Sequence, residues 1–368
     1  MKRKDFLKNG AIVGALSALG AGCAEKTKSD PSDQPSSNQK FVWKMTTTWG
    51  KNFPVVGEGC NRLADRIRMM SDGRLDIRVY GAGELIPPME SFSAVSDGRV
   101  FQMSHGAAYY WAGIEPAFQF FTSVPFGMNA QQMNAWMDFG GGRDLWTEMY
   151  SPYGVIPFMA GNTGVQMGGW FNRKIEKISD FQGLKMRIPG LGGSVLAKAG
   201  GTAVLSPGTE LYTNLERGVI DATEWIGPFH DYLMGFHQVA KYYYSPGWHE
   251  PGSVLEVLVN KEAFEALPKD LQAIVEMACY RSNQEMLSEF EAKNNEYLKK
   301  IRSETDVEIL SFPSEVLQQL KQYAFEIYED LASKDPLSRK AYDSFFAFKK
   351  DISEWSQLAE GKFYSDIQ

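Results

Sequence analysis

From Phe41 onward the chain switches between two hydrophobic periods. Phe41, Trp43 and Met45 fall on every second position, the spacing of a strand with one buried face. After Pro54, apolar residues recur at Val56, Cys60, Leu63, Ile67 and Met70, the period of a helix with one buried stripe. Ser71-Asp72-Gly73 stops that helix, and Leu75, Ile77 and Val79 return to the period of two. Strand, helix and strand in this order make a βαβ unit and predict a parallel pair. The strand period comes back in GVIPFMAGN (154–162), GVQMGGWF (164–171), GLKMRIPG (183–190) and SVLEVLVN (253–260). SVLAKAGG (194–201) reads as a helix with a glycine stop. TELYTNLERGVIDATEWIG (209–227) reads as a helix, a turn and a short buried strand ending at Glu224-Trp225. The fold class is α/β.

The last third changes period for good. From Lys269 to about Ser303 there is no proline or glycine, which predicts one helix about 50 Å long at 1.5 Å per residue. That exceeds the width of one lobe, so the helix serves as a spine. A second helix is expected from about Ser314 to Ser333. A third carries Phe345, Phe348, Ile352 and Trp355 on one stripe, for packing on its own chain or on a partner.

Ahead of Phe41 neither period holds. MKRKDFLKNG is basic, AIVGALSALGAG is apolar but shorter than a membrane span, and Cys23 follows. Residues 1–23 therefore read as an export leader. RKDFLK resembles the twin-arginine motif with Lys4 in place of the second arginine, which leaves a twin-arginine-like and a general secretory route both open. LGAGC resembles a lipobox, which would make Cys23 the lipidated first residue of a membrane-anchored lipoprotein. Residues 24–40 are Ser-, Pro- and Asp-rich without apolar period and read as a tether, spanning about 22 Å as a flexible chain.

Composition narrows the function classes. At 368 residues the chain exceeds a single hydrophobic core, so two lobes are expected. The 3 cysteines form no CxxC and no paired framework, and the 4 histidines argue against a transition-metal site. The net charge of −7 disfavours nucleic acid and anionic lipid, and loss of the basic leader makes the remainder more acidic still. The glycine clusters GAGELIPP and FGGGRD match neither a dinucleotide fingerprint nor a P-loop and read as turns.

Four polar residues stand out against this background. Arg187 closes the strand of GLKMRIPG just before a Pro-Gly turn, where a solvated edge arginine is the ordinary reading. Glu224 ends an apolar strand, Gln166 opens QMGGWF, and Glu250 lies in GWHEPG between glycine and proline. A carboxylate in such company is costly to bury unpaired, so a cation or an arginine nearby is required.

DFQGLKMRIPG and LERGVIDATEW, with GNTGVQMGGWF and GWHEPG, resemble the signature segments of the DctP-type solute-binding proteins of tripartite ATP-independent periplasmic (TRAP) transporters. The resemblance runs from Phe41 through the C-terminal helices. The last two segments are similar to the subgroup that binds 2-oxo and 2-hydroxy monocarboxylates such as pyruvate and lactate. It implies a two-lobed periplasmic binding fold with a cleft at the hinge and strands crossing between lobes. Lobe I is then expected over 41–164 plus about 253–290, lobe II over 165–252, and the helices of 291–368 across both lobes or on a partner. It implies that Arg187 binds the ligand carboxylate, and that Gln166, Glu224, the Trp225 carbonyl and Glu250 hold Na⁺ or Ca²⁺ against the ligand. Tyr109 or Tyr110 lines the cleft. The partners implied are a small carboxylate, the membrane subunits of the transporter, and a second copy through the C-terminal helix.

Physical chemistry agrees with these roles. Arginine's rigid fork matches a planar carboxylate. A 2-oxo acid offers two coplanar oxygens, and an all-oxygen donor set suits a hard cation. Two glutamates and a substrate carboxylate against one arginine leave a charge that Ca²⁺ balances better than Na⁺. Three rivals remain from this reading: a sugar-acid binder, an extracytoplasmic sensor, and a secreted hydrolase using paired carboxylates. GxSxG and HExxH are absent from the sequence, whereas two acids alone would suffice for a glycosidase.

Overall fold

The computed structural model describes residues 39–367. The leader, the lipobox-like Cys23 and nearly all of the tether lie outside the described residues. Two sheets organise the chain. The first has the order β2-β1-β3-β10-β4, from β1 (Phe41–Thr47), β2 (Leu75–Tyr80), β3 (Met103–Gly106), β4 (Val155–Asn162) and β10 (Val254–Asn260). The helix Val56–Met70 joins β1 to β2, and these strands pair in parallel from Phe41↔Leu75 to Thr46↔Tyr80, as the alternating periods predict. β10 enters antiparallel between β3 and β4, and its seven residues are all buried, so it has no solvent face.

The second sheet has the order β11-β9-β5-β8-β6-β7, from β5 (Gly169–Phe171), β6 (Lys185–Arg187), β7 (Thr202–Val204), β8 (Ala222–Thr223), β9 (Tyr242–Ser245) and β11 (Glu308–Ser311). Two strand expectations shrink here. GVQMGGWF is a strand only from Gly169, because Gly164–Gly168 crosses from one sheet to the other. The strand expected to end at Glu224-Trp225 stops at Thr223, so both residues leave the sheet and turn into the interior.

The chain crosses between sheets three times: through two adjacent segments, Thr163–Gly168 outward and Pro246–Ser253 on the return, and later along the helix Lys269–Glu304 that leads from β10 to β11. The two short segments are neighbours. They run side by side: Gly247 N donates to Gln166 O at 2.8 Å, Gln166 N to Glu250 O at 3.2 Å, and Thr163 N to Ser253 O at 3.1 Å. The approach is close because position 247 has no side chain. A Cβ there would stand 2.3 Å from Gln166 O.

The spine is the 36-residue helix Lys269–Glu304. Arg62 and Arg66 of the first helix reach its Glu285 and Glu289 at 2.5–3.0 Å. Further along, Asn294 Oδ1 accepts from Phe229 N at 3.1 Å, which ties the spine to the segment following β8. The helices Ser314–Lys334 and Pro336–Ser356 follow. The aromatic stripe of the last one divides. Phe345 is fully buried against Phe120 and Trp136, whereas Trp355 is 65% exposed. Among the described residues no helix is long and apolar enough to cross a membrane. Cys60 and Cys279 are free and buried.

Candidate functional site

The two crossing segments and the ends of β6 and β8 deliver their polar side chains to one place. Leu184, Met186 and Ile188 of the GLKMRIPG stretch pack into the core as the alternation requires. Arg187 points the other way, yet only 2% of it is exposed, so the solvated-edge reading fails. β6 lies between β7 and β8, which pair Arg187 with Val204 and Thr223, so it is an inner strand of the sheet and not an edge. The guanidinium donates to the Glu224 carboxylate through Nη1, to the Glu224 carbonyl at 3.4 Å, and through Nε to Ser206 O at 3.3 Å. It also sits 5.2 Å from the Trp225 ring centre. Burial opposes its charge, but Glu224, Tyr110, Tyr109 and Glu250 outweigh that and raise its pKa.

Glu224 is held at both oxygens, because His249 Nε2 lies 3.2 Å from Oε2. Glu250 Oε2 accepts from Gln166 Nε2 at 2.7 Å and from Ser253 Oγ at 2.5 Å. Burial and then the Glu224 charge push the Glu250 carboxyl up to about 7. Tyr109 and Tyr110 come from the short 3₁₀ turn Ala108–Trp111, their rings 4.8 Å apart. Burial, with Glu250 next, raises the Tyr109 phenol well above its ordinary value, and burial raises that of Tyr110. Gly190 opens the following helix at φ +59, and a Cβ there would stand 3.2 Å from that of Tyr109. Gln166, Arg187, Glu224, Trp225 (through its ring) and Glu250 are thus brought into one buried cluster, with the half-buried Tyr109 and Tyr110 beside it.

Sequence reasoning missed His249, Ser253 and the groups that hold Trp225. His249 was adjacent to a chosen residue and carried a usable signal, a histidine between tryptophan and glutamate in a turn. Trp225 Nε1 donates to His230 Nδ1 at 3.3 Å, and the other ring nitrogen of His230 donates to Pro54 O at 2.8 Å. Burial lowers the His230 pKa to about 3, so the ring is neutral and serves both bonds. Asp231 secures the next turn by accepting from Trp170 Nε1, Tyr243 Oη and Ile226 N at 2.8–3.3 Å. An apolar cavity of about 210 Å³, lined by Trp49, Phe53, Tyr212 and Met234 among others, shares Trp225 with the polar cluster.

The donors fit a hard cation. Gln166 Oε1 is buried and has no hydrogen-bond partner. Ligand atoms of Glu224, His249 and Glu250 lie within 4.8 Å of one another. Two buried acids against one guanidinium leave negative charge, and an amide oxygen without a donor is what a cation satisfies.

Residues 45–335 match the family model described as bacterial extracellular solute-binding protein, family 7 (DctP). The chain belongs to this family. A DctP-family chain is a transport solute-binding protein of the periplasm, and this one is 41% identical over 360 residues to the monocarboxylate 2-oxoacid-binding periplasmic protein of Nostoc sp. (strain PCC 7120), covering 98% of this chain and 97% of that one. Two crystal structures of TRAP periplasmic solute-binding proteins superpose on this DctP protein with TM-scores of 0.87 at 41% identity. The protein from Pseudoalteromonas atlantica T6c, with bound sodium and pyruvate, covers 90% of this chain and all of its own. The protein from Colwellia psychrerythraea, with bound calcium and pyruvate, covers 89% and all of its own. The α/β periplasmic-binding fold expected from the sequence is therefore this protein's fold.

Proposed function

We propose that this DctP-family protein is the extracytoplasmic receptor of a TRAP transporter for a small 2-oxo or 2-hydroxy monocarboxylate, pyruvate or a close analogue such as lactate. The observation that carries this reading is the buried cluster in which Arg187 pairs with Glu224 while Glu250, in the same cluster, binds a Gln166 whose Oε1 has no partner. Arg187 takes the ligand carboxylate in its fork, with Tyr109 and Tyr110 along the cleft. Gln166, Glu224, the Trp225 carbonyl and Glu250 hold Na⁺ or Ca²⁺. That cation supplies positive charge and oxygen coordination for the ligand's carboxylate and 2-oxo oxygens. The charge balance favours Ca²⁺.

The two lobes are read as 41–164 plus about 253–290 and 165–252, the second completed by β11 from the C-terminal part, closing on the ligand about the paired crossing segments. The ligand leaves unchanged, so the protein is a receptor and not an enzyme, and membrane subunits receive it. An export leader with lipidated Cys23 would keep the receptor at the membrane. Exposed Trp355, Leu358, Phe363 and Ile367 near the C-terminus suit exchange of that helix between two copies.

The test is thermal unfolding of the mature protein with pyruvate, lactate and sugar acids, after chelator treatment and with Na⁺ or Ca²⁺ restored. Ligand at a hundred times its dissociation constant adds about 2.7 kcal/mol, a shift of several degrees. A pyruvate shift that needs the cation supports the reading. A shift with sugar acids alone replaces the ligand class, and product formation from a glycoside would replace the receptor by a hydrolase.

A further inference from the structure

One arm of the Arg187 guanidinium, Nη1, is engaged by a carboxylate of its own chain. Glu224 accepts from Nη1 through Oε1 and through its backbone carbonyl, and the pair is only 2% and 1% exposed. The engagement is built into the sheet, because β8 pairs Thr223 with Arg187 and so brings the next residue alongside the guanidinium. His249 Nε2, 3.2 Å from Oε2, holds the other oxygen in place. A carboxylate tethered this way competes at a high effective concentration with any carboxylate from solution.

For a simple monocarboxylate the exchange is a losing one. It would take the guanidinium and leave Glu224 buried beside Glu250 with its charge uncompensated, which is strongly unfavourable. Glu224 has one other place to go. Its carboxylate lies within 4.8 Å of ligand atoms of His249 and Glu250, and Gln166 Oε1 nearby lacks a partner. Glu224 can therefore give up Arg187 without loss if it joins a cation's donor set. A 2-oxo or 2-hydroxy acid contributes a second oxygen to that set, and propionate, which is pyruvate without that oxygen, does not.

We propose that Glu224 is a specificity-determining residue: it occupies Arg187 as a surrogate carboxylate and releases it only to acids whose second oxygen completes a cation site that includes Glu224. This inference rests on the oxo-acid reading above. It makes cation and acid binding mutually reinforcing, each strengthening the other by the same factor. It also predicts an effect of opposite sign from simple loss of a ligand group. Removing the Glu224 charge should open Arg187 to carboxylates that the native site rejects.

The experiment is titration calorimetry with pyruvate and with propionate, in sodium-free, chelator-treated buffer and again with Ca²⁺. It is run on the native protein, Glu224→Gln and Glu250→Gln, each verified as folded by circular dichroism. The native protein is expected to bind pyruvate only with Ca²⁺ and to reject propionate. Glu224→Gln is expected to gain at least about tenfold in affinity for both acids without Ca²⁺, and to lose the enhancement that Ca²⁺ brings. Glu250→Gln is expected to lose the Ca²⁺ enhancement and gain nothing for propionate. If Glu224→Gln loses pyruvate and gains no propionate binding, Glu224 is a cation ligand only and the proposal falls, while the receptor reading stands. If the native protein binds pyruvate in no buffer, the oxo-acid reading falls and the proposal with it. Should Glu224→Gln not fold, direct titration of the native protein with propionate in Ca²⁺-free buffer decides: binding at an affinity comparable to that of pyruvate with Ca²⁺ overturns the proposal, and its absence supports it.

Discussion

At the residue scale, one arginine carries two requirements, charge to balance buried carboxylates and a fork to match a planar one. Arg187→Lys separates them. Lysine keeps a charge near Glu224 but presents a single ammonium in place of parallel donors. The melting temperature should stay near that of the native protein, while calorimetry should show pyruvate binding weaker by about 2 kcal/mol or more. Unchanged affinity would remove Arg187 from the carboxylate site. A second buried acid lies outside the cluster. Glu256 on β10 accepts from Trp111 Nε1 at 2.6 Å and Tyr150 Oη at 3.0 Å, and burial raises its carboxyl from 4.5 to about 8 against the pull of those donors. Its folded pKa lies above the unfolded one, so the folded form holds the extra proton between those values. The stability from Glu256 is therefore fully present below about pH 4.5 and lost as pH rises through about 8. Melting temperature should fall with pH across this window, and Glu256→Gln should flatten the fall. Asp231 and Glu250, raised to about 7, keep part of the slope.

At the scale of elements, the site depends on two crossing segments that touch. Gly247→Ala sets a Cβ against Gln166 O and breaks the 2.8 Å bond between the segments. It should cost about 1–3 kcal/mol in denaturant unfolding and weaken ligand binding, since Gln166 and Glu250 lie on the two segments it parts. Gly113→Ala, with open space around its Cβ, is the matched control and should change neither. Helices and long strands were legible from periodicity, because a 3.6- or 2-residue repeat survives wherever one face meets the core. The strand ends were not. GVQMGGWF and the segment ending in Trp225 are short and carry no clean alternation of apolar and polar positions, and such a run reads alike whether it continues a strand or turns inward between two sheets.

At the scale of the whole molecule, the C-terminal stripe that the sequence left between self-packing and a partner is divided by the structure. Phe345 packs inward, whereas Trp355, Leu358, Phe363 and Ile367 are 45–74% exposed. If a second copy covers them, sedimentation should show a dimer, and deletion of 357–368 should weaken it while leaving pyruvate binding within each protomer. A native monomer at micromolar concentration would exclude the exchange.

By itself the sequence determined the α/β class, the βαβ start, the long spine and the short list of polar residues out of place among apolar ones. Those are local properties, written in periods and in the cost of a charge beside hydrophobic neighbours. Only the tertiary structure decided that Arg187 is buried, that Glu224 already holds it, and that His249 belongs to the same cluster. Those facts depend on β7 and β8 flanking β6 and on two loops eighty residues apart lying side by side. Contacts at that separation leave no period along the chain, and they arise from strand pairing and close packing of glycine-lined backbone.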